Sequence, residues 1–88
     1  MKISYDSAKR LRTLAERGLD FNDAPLLFGG RVRTLVDDRA DYGEVRSITH
    51  GYLNGRAVVL VWTQRNEGIR IISMRHAHAQ EMARVGLD

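Results

Sequence analysis

Residues 45–64, VRSITHGYLNGRAVVLVWTQ, decide the fold. Asn54-Gly55 in the middle is the pair a two-residue type I′ hairpin demands, because both central residues take positive φ. On its N-terminal side, residues 45–53 read as a strand with Arg46, Ile48, His50 and Tyr52 on one face. On its C-terminal side, residues 56–64 read as the partner strand. Their middle, AVVLVWT, is apolar on both faces. That is the pattern of a strand covered on each side, or covered on one and awaiting a partner on the other.

Working outward, 64–68 is a turn and 69–74 a further strand, while Val32, Leu35 and Val36 mark an earlier strand that the acidic run 37–41 ends. Short connections make consecutive strands antiparallel neighbours. Upstream, Asp6 is a good N-cap for a helix over Ser7–Arg17. Ala8, Leu11, Leu14 and Ala15 form one stripe of that helix, expected to lie buried on a sheet. Gly18 supplies the left-handed residue after the helix, and Leu19 folds back. A second helix is expected from an Asn22 cap, with Pro25 in its first turn and Gly29-Gly30 as its stop. Residues 3–5 suit an edge strand, and 76–85 a closing helix. The sequence therefore predicts one α+β domain over residues 1–88: an antiparallel β-meander of about four strands, with two N-terminal helices and one C-terminal helix.

The 88 residues, 43% hydrophobic and 28% charged, suit one folded domain with a modest core. With no cysteine, disulfides and thiolate metal sites are excluded. The opening MKISYDSAKR lacks the apolar run of a signal peptide and no stretch reaches transmembrane length, so a cytoplasmic protein away from membranes is expected. Residues 1–44 carry eight basic and eight acidic residues; 45–88 carry six Arg, three acids and all three His, hence the whole net charge of +3. Apart from Lys2 and Lys9 every basic residue is Arg, whose planar fork pairs bidentately with phosphate. Such a composition suits a polyanion, RNA above all, although genomic base bias produces the same composition.

Several chemistries find no support. Gly29-Gly30 is a helix stop, not a phosphate loop. His76 and His78 lie on different sides of a helix and have no third ligand in reach, so no metal and no cofactor is expected. Ser47 or Ser73 with a His lacks the strand–turn–helix context of a nucleophile elbow. No helix has the basic face of a DNA-recognition helix. What remains is Arg46, Arg56, Arg70 and Arg75, all on or at the ends of strands, with His76 following. Regular alternation places Arg70 with Ile72, Met74 and His76, and Arg75 on the other side with Ile69, Ile71 and Ser73. Metal-free RNA cleavage needs a base for the 2′-OH, positive charge for the phosphorane and an acid for the 5′-oxygen. Arginine supplies the charge; Glu44, His50, His76 and Glu81 are the titratable candidates. Trp62 either stacks a base or joins the core.

These residues carry a family likeness. Gly43-Glu44-x-Arg46, Gly51, Gly55-Arg56, VVLVWT and Ile71-Ile72-Ser73-Met74-Arg75 resemble the BrnT toxins, as do Tyr5-Asp6-x-Ala8-Lys9, Arg17-Gly18-Leu19-x-Phe21, Asp23-Ala24 and Phe28. The resemblance implies a RelE-like ribonuclease toxin of a type II toxin–antitoxin pair. It also implies a BrnA-type ribbon-helix-helix antitoxin, with operator DNA bound only through that antitoxin. On this basis Arg46 and Arg75 are expected to hold the scissile phosphate of mRNA, Glu44 and His76 to move protons, and Arg56, Arg70 and Trp62 to bind RNA. The chain departs from the family pattern at Thr13, Glu16, Arg17, His76 and Met82. A degenerate toxin acting as a protein-binding corepressor is the alternative class.

Overall fold

In the computed structural model, which describes residues 1–87, the chain runs through β1 (Lys2–Ser4), α1 (Ser7–Arg17), a 3-10 turn (Phe21–Asp23), α2 (Ala24–Phe28), β2 (Arg33–Asp37), β3 (Arg46–Leu53), β4 (Arg56–Arg65), β5 (Gly68–His76) and α3 (Ala79–Arg84). The β3–β4 hairpin turns on Asn54 and Gly55 at φ 51° and 77°, as a type I′ turn requires. β4 is central in the sheet order β1-β5-β4-β3-β2, with both of its edges paired. β2 to β5 form the antiparallel meander. The expectation of about four antiparallel strands is nonetheless incomplete. β1 adds a fifth strand, parallel to β5 through Lys2↔Gly68 to Ser4↔Arg70, so the sheet is mixed.

One face of the sheet is closed by the segment around α2. Leu19, Phe21, Ala24 and Leu27 pack on Leu53, Val58, Leu60, Ile69, Ile71 and Met74. Burial of these apolar side chains is the main favourable term of the fold. The second helix begins later than expected: Asp20, not Asn22, caps this region, accepting from the Asn22 amide at 2.9 Å, and a 3-10 turn precedes α2.

α1 has the expected bounds. The Asp6 carboxylate accepts from the Lys9 amide at 3.1 Å, and Gly18 closes the helix with its N–H on the Leu14 carbonyl. Its packing is not as expected, because no residue of α1 is buried. β1 pairs with β5 only as far as Arg70, which leaves outward carbonyls beyond it. α1 lies along this edge, and its cations meet them: Lys9 Nζ donates to the Ile72 carbonyl at 2.6 Å and Arg17 Nη1 to that of Met74 at 2.7 Å. Unmet backbone acceptors are costly, so the helix docks by its polar side.

The second face of the sheet is covered at one end only. α3 and the residues after it bury Met82 and Leu87, and Tyr52 donates to the Leu87 carbonyl at 3.1 Å. Among the described residues no helix is long and apolar enough to cross a membrane.

Candidate active site

β5 is not a regular strand. Val61 pairs with Ser73 and Trp62 with Ile71, so Ile72 stands opposite nothing as a β-bulge. One extra residue resets the alternation. Ile69, Ile71 and Met74 all point into the core, while register assigns Arg70, Ser73 and Arg75 together to the opposite, partly open face. The sequence-based separation of Arg70 from Arg75 is thereby corrected.

Cross-strand register lays out that face in three rows. Asp37, Arg46, Thr63 and Arg70 form the first, Leu35, Ile48, Val61 and Ser73 the second, and Arg33, His50, Val59 and Arg75 the third. Ile48, Val61 and Ser73 are half-buried and make a floor between arginines at either end. Four residues along a strand span about 13 Å and two strands across about 10 Å. Arg46 and Arg75 therefore start roughly 16 Å apart, a gap that two extended side chains can close around a phosphate over Val61.

Each end of the face has its own electrostatics. Arg46 Nε lies 3.5 Å from Glu44 Oε2, and its guanidinium stacks 4.2 Å over the Tyr42 ring. Glu44 also meets Arg65 at 3.4 Å. The buried Asp37 carboxylate is taken by Arg39 at 2.7 Å and by the Tyr42 hydroxyl at 3.2 Å; the Arg39 contact holds its pKa well below the usual carboxylate range. Arg70 has no ion-pair partner among the described residues. At the other end, Arg75 grips Glu81 of α3 bidentately at 2.9 and 2.7 Å, which lowers the glutamate to about 2. Glu81 also accepts from the His78 amide at 3.0 Å, so one carboxylate serves both Arg75 and the start of α3. His50, 7% exposed, lies beside Glu81, Leu35 and Arg84 with Nδ1 unpartnered; burial pushes its pKa down against the pull of Glu81.

Register thus puts Arg46, Arg70 and Arg75 on one face of the sheet, with Glu44 paired to Arg46, and leaves the other expected residues off it. Arg56 lies on the helix-covered side, its Nη2 donating to the Gly18 carbonyl at 3.4 Å. Trp62 is half-buried on the helix-covered side, packed edge-on against Phe28 at 5.8 Å and donating from Nε1 to Thr49 Oγ1 at 2.8 Å. His76 points away from Arg75, with Nε2 2.9 Å from the Arg17 carbonyl. Of the titratable candidates, Glu81 and His50 lie at the Arg75 end of this face. Alternation along β3 had already grouped His50 with Arg46, whereas nothing in the sequence linked Glu81 to Arg75. Among the described residues no cluster of three or more His, Asp or Glu side chains could hold a metal ion.

The family model described as the ribonuclease toxin BrnT of type II toxin–antitoxin systems matches residues 5–81. The chain belongs to the BrnT family. Membership brings a toxin role, a ribonuclease activity, an RNA substrate and an antitoxin partner. No curated protein matches the chain. The BrnT match takes in every residue of the arginine face described above as well as Glu81, and it stops before the last turn of α3.

Proposed function

We propose that this BrnT-family chain is a cytoplasmic, metal-independent endoribonuclease that cuts mRNA and arrests growth until its antitoxin binds. The observation that carries the reading is the Ile72 bulge, which gathers Arg46, Arg70 and Arg75 around one half-open floor. A phosphate over Val61 has guanidinium groups on both sides, the arrangement that stabilises a phosphorane. The 2′-oxygen attacks the adjacent phosphorus as its proton passes to Glu44. The bond from phosphorus to O5′ then breaks and O5′ takes a proton from water, leaving a 2′,3′-cyclic phosphate and a 5′-hydroxyl. His76, on the far side of β5, has no part in this scheme, and neither do Arg56 and Trp62.

In this reading the sheet and its helices form a RelE-like toxin. The partner is a BrnA-like ribbon-helix-helix antitoxin, through which alone the complex reaches operator DNA. The test is incubation of the purified chain with RNA in EDTA. Cleavage is expected to persist there and to fall about 100-fold in Arg46→Ala and in Arg75→Ala, while Arg56→Ala cuts normally. Intact RNA with the unaltered chain, alongside a control nuclease that cuts, sinks the enzyme reading. The corepressor alternative draws on one observation: Arg46 and Arg75 are already engaged by Glu44 and Glu81. It requires intact RNA together with firm antitoxin binding.

A further inference from the structure

A cleft between β2, β3 and α3 holds groups that the cleavage scheme leaves unused. Leu35, His50, Glu81, Arg84 and Val85 line an open space of about 310 Å³, at the small end of the range for small-molecule sites. Leu35, on the edge strand β2, is 51% exposed and forms an apolar wall; Val85, just after α3, adds a second apolar group. His50 is 7% exposed and its Nδ1 has no partner. Buried polar atoms are nearly always bonded; this ring nitrogen is an exception that the fold's own hydrogen bonds do not remove.

Charge decides which part of a nucleotide suits the cleft. Glu81 and Arg84 cancel, and burial lowers the His50 pKa, which keeps the ring neutral at pH 7. A phosphate therefore meets no net positive charge from the cleft, whereas a base meets apolar groups for its faces and both donors and acceptors for its edge. Arg84 makes no ion pair among the described residues. Glu81 Oε2, bonded only by Arg75 among those residues, has a lone pair to spare. Position agrees with this. Leu35 shares the row of Val61 two strands away, about 10 Å, and His50 stands one strand and one row from it, about 8 Å. The base of a nucleotide next to the phosphate over Val61 reaches the cleft.

We infer that this cleft is a base-binding subsite, in which an unpaired nucleobase of the RNA lies against Leu35 and Val85 with Glu81, Arg84 and the His50 ring at its edge. The inference rests on the reading of the arginine face as the phosphate site, and not on whether the phosphate is cut. Leu35 bears no charge and touches no phosphate in this arrangement, so base binding and phosphate binding are separable by mutation.

The test compares a labelled 2′-O-methyl RNA with an abasic oligomer of the same length and phosphate count, by anisotropy on the full chain. Loss of the bases is expected to weaken binding about tenfold, toward the low end of what one stacked base contributes. In Leu35→Ser the two oligomers are expected to bind within about twofold of each other, the usual limit of additivity. The salt slope of the intact oligomer should stay that of the unaltered chain. Melting is read alongside, and a change at so exposed a side chain is expected to move it little. The His50 ring signals in NMR should shift with the intact oligomer and not with the abasic one. A tenfold penalty that persists in Leu35→Ser overturns the subsite. So does equal affinity of the unaltered chain for both oligomers, which would leave the cleft to a protein side chain. If neither oligomer binds, the arginine-face reading falls with it, whereas binding without cleavage of ordinary RNA counts against the nuclease reading only.

Discussion

Salt dependence of RNA binding distinguishes a bulged β5 from a regular one. A single-stranded ligand loses about 0.7 in the slope of log affinity against log salt for each cationic contact. With Arg46, Arg70 and Arg75 on one face, the slope is expected near −2, so a fourfold rise in salt weakens binding about 18-fold. Replacing Arg70 by alanine leaves two contacts, a slope of about −1.4 and a weakening of about sevenfold over the same range. Arg75→Ala is expected to match it, and Arg56→Ala, on the other side of the sheet, to leave the slope alone. Fluorescence anisotropy with a labelled 2′-O-methyl RNA gives the slopes without cleavage, since the attacking hydroxyl is blocked. Arg70 is decisive, because a regular strand would turn it away from Arg75. A slope unmoved by Arg70→Ala, or reduced by Arg56→Ala as much as by Arg75→Ala, refutes the three-arginine face.

Three further outcomes follow from local contacts. A methyl at Gly68 would overlap the Lys2 carbonyl oxygen, so Gly68→Ala is expected to detach β1 at a cost of about 1–3 kcal/mol; amide exchange at Ile3 and Ser4 should then accelerate while β3 and β4 stay protected. Thr49→Val removes the acceptor of Trp62 Nε1 and the partner of Thr34, which is expected to cost about 1 kcal/mol and to lower the melting temperature by about 4–8 °C; an unchanged melting curve counts against that hydrogen bond. Glu81 is held near 2, below its ordinary 4.5, by Arg75, so the stabilisation it brings is complete above about pH 4.5 and fades as pH falls toward 2. Carboxyl NMR should give that low midpoint, returning toward the ordinary value in Arg75→Ala.

The parts of this fold governed by local chemistry were legible in the sequence. Asp6 and Gly18 bound α1 because capping depends on residues a turn apart, and Asn54-Gly55 located the hairpin because few residues accept positive φ. Two features escaped for different reasons: periodicity does not tell which face of a helix turns inward, and it assumes a strand without a bulge. The stripe of α1 was legible, yet the open carbonyls of Ile72 and Met74 drew the opposite side onto the protein. Along β5 a single unpaired Ile72 shifted every later side chain across the sheet, and Arg70 joined Arg75. The site was accordingly half readable. Arg46 and Glu44 are close in sequence, but the union of Arg75 with Glu81 depends on how α3 returns over the sheet.

The bulge has a mechanical consequence as well. Its unpaired residue offers the carbonyl that Lys9 holds, two residues from Arg70 and three from Arg75. The helix outside the sheet and the arginines on its face are thus fastened to the same short length of strand, one by its edge and the others by its surface. A load on the helix reaches the arginine spacing through two hydrogen bonds, that of Lys9 at the bulge and that of Arg17 on the Met74 carbonyl. Lys9→Met cuts the tether at the bulge, and the guanidinium NMR signals of Arg70 and Arg75 should then shift although neither residue touches Lys9; unmoved signals would mean that the strand holds its shape without the latch.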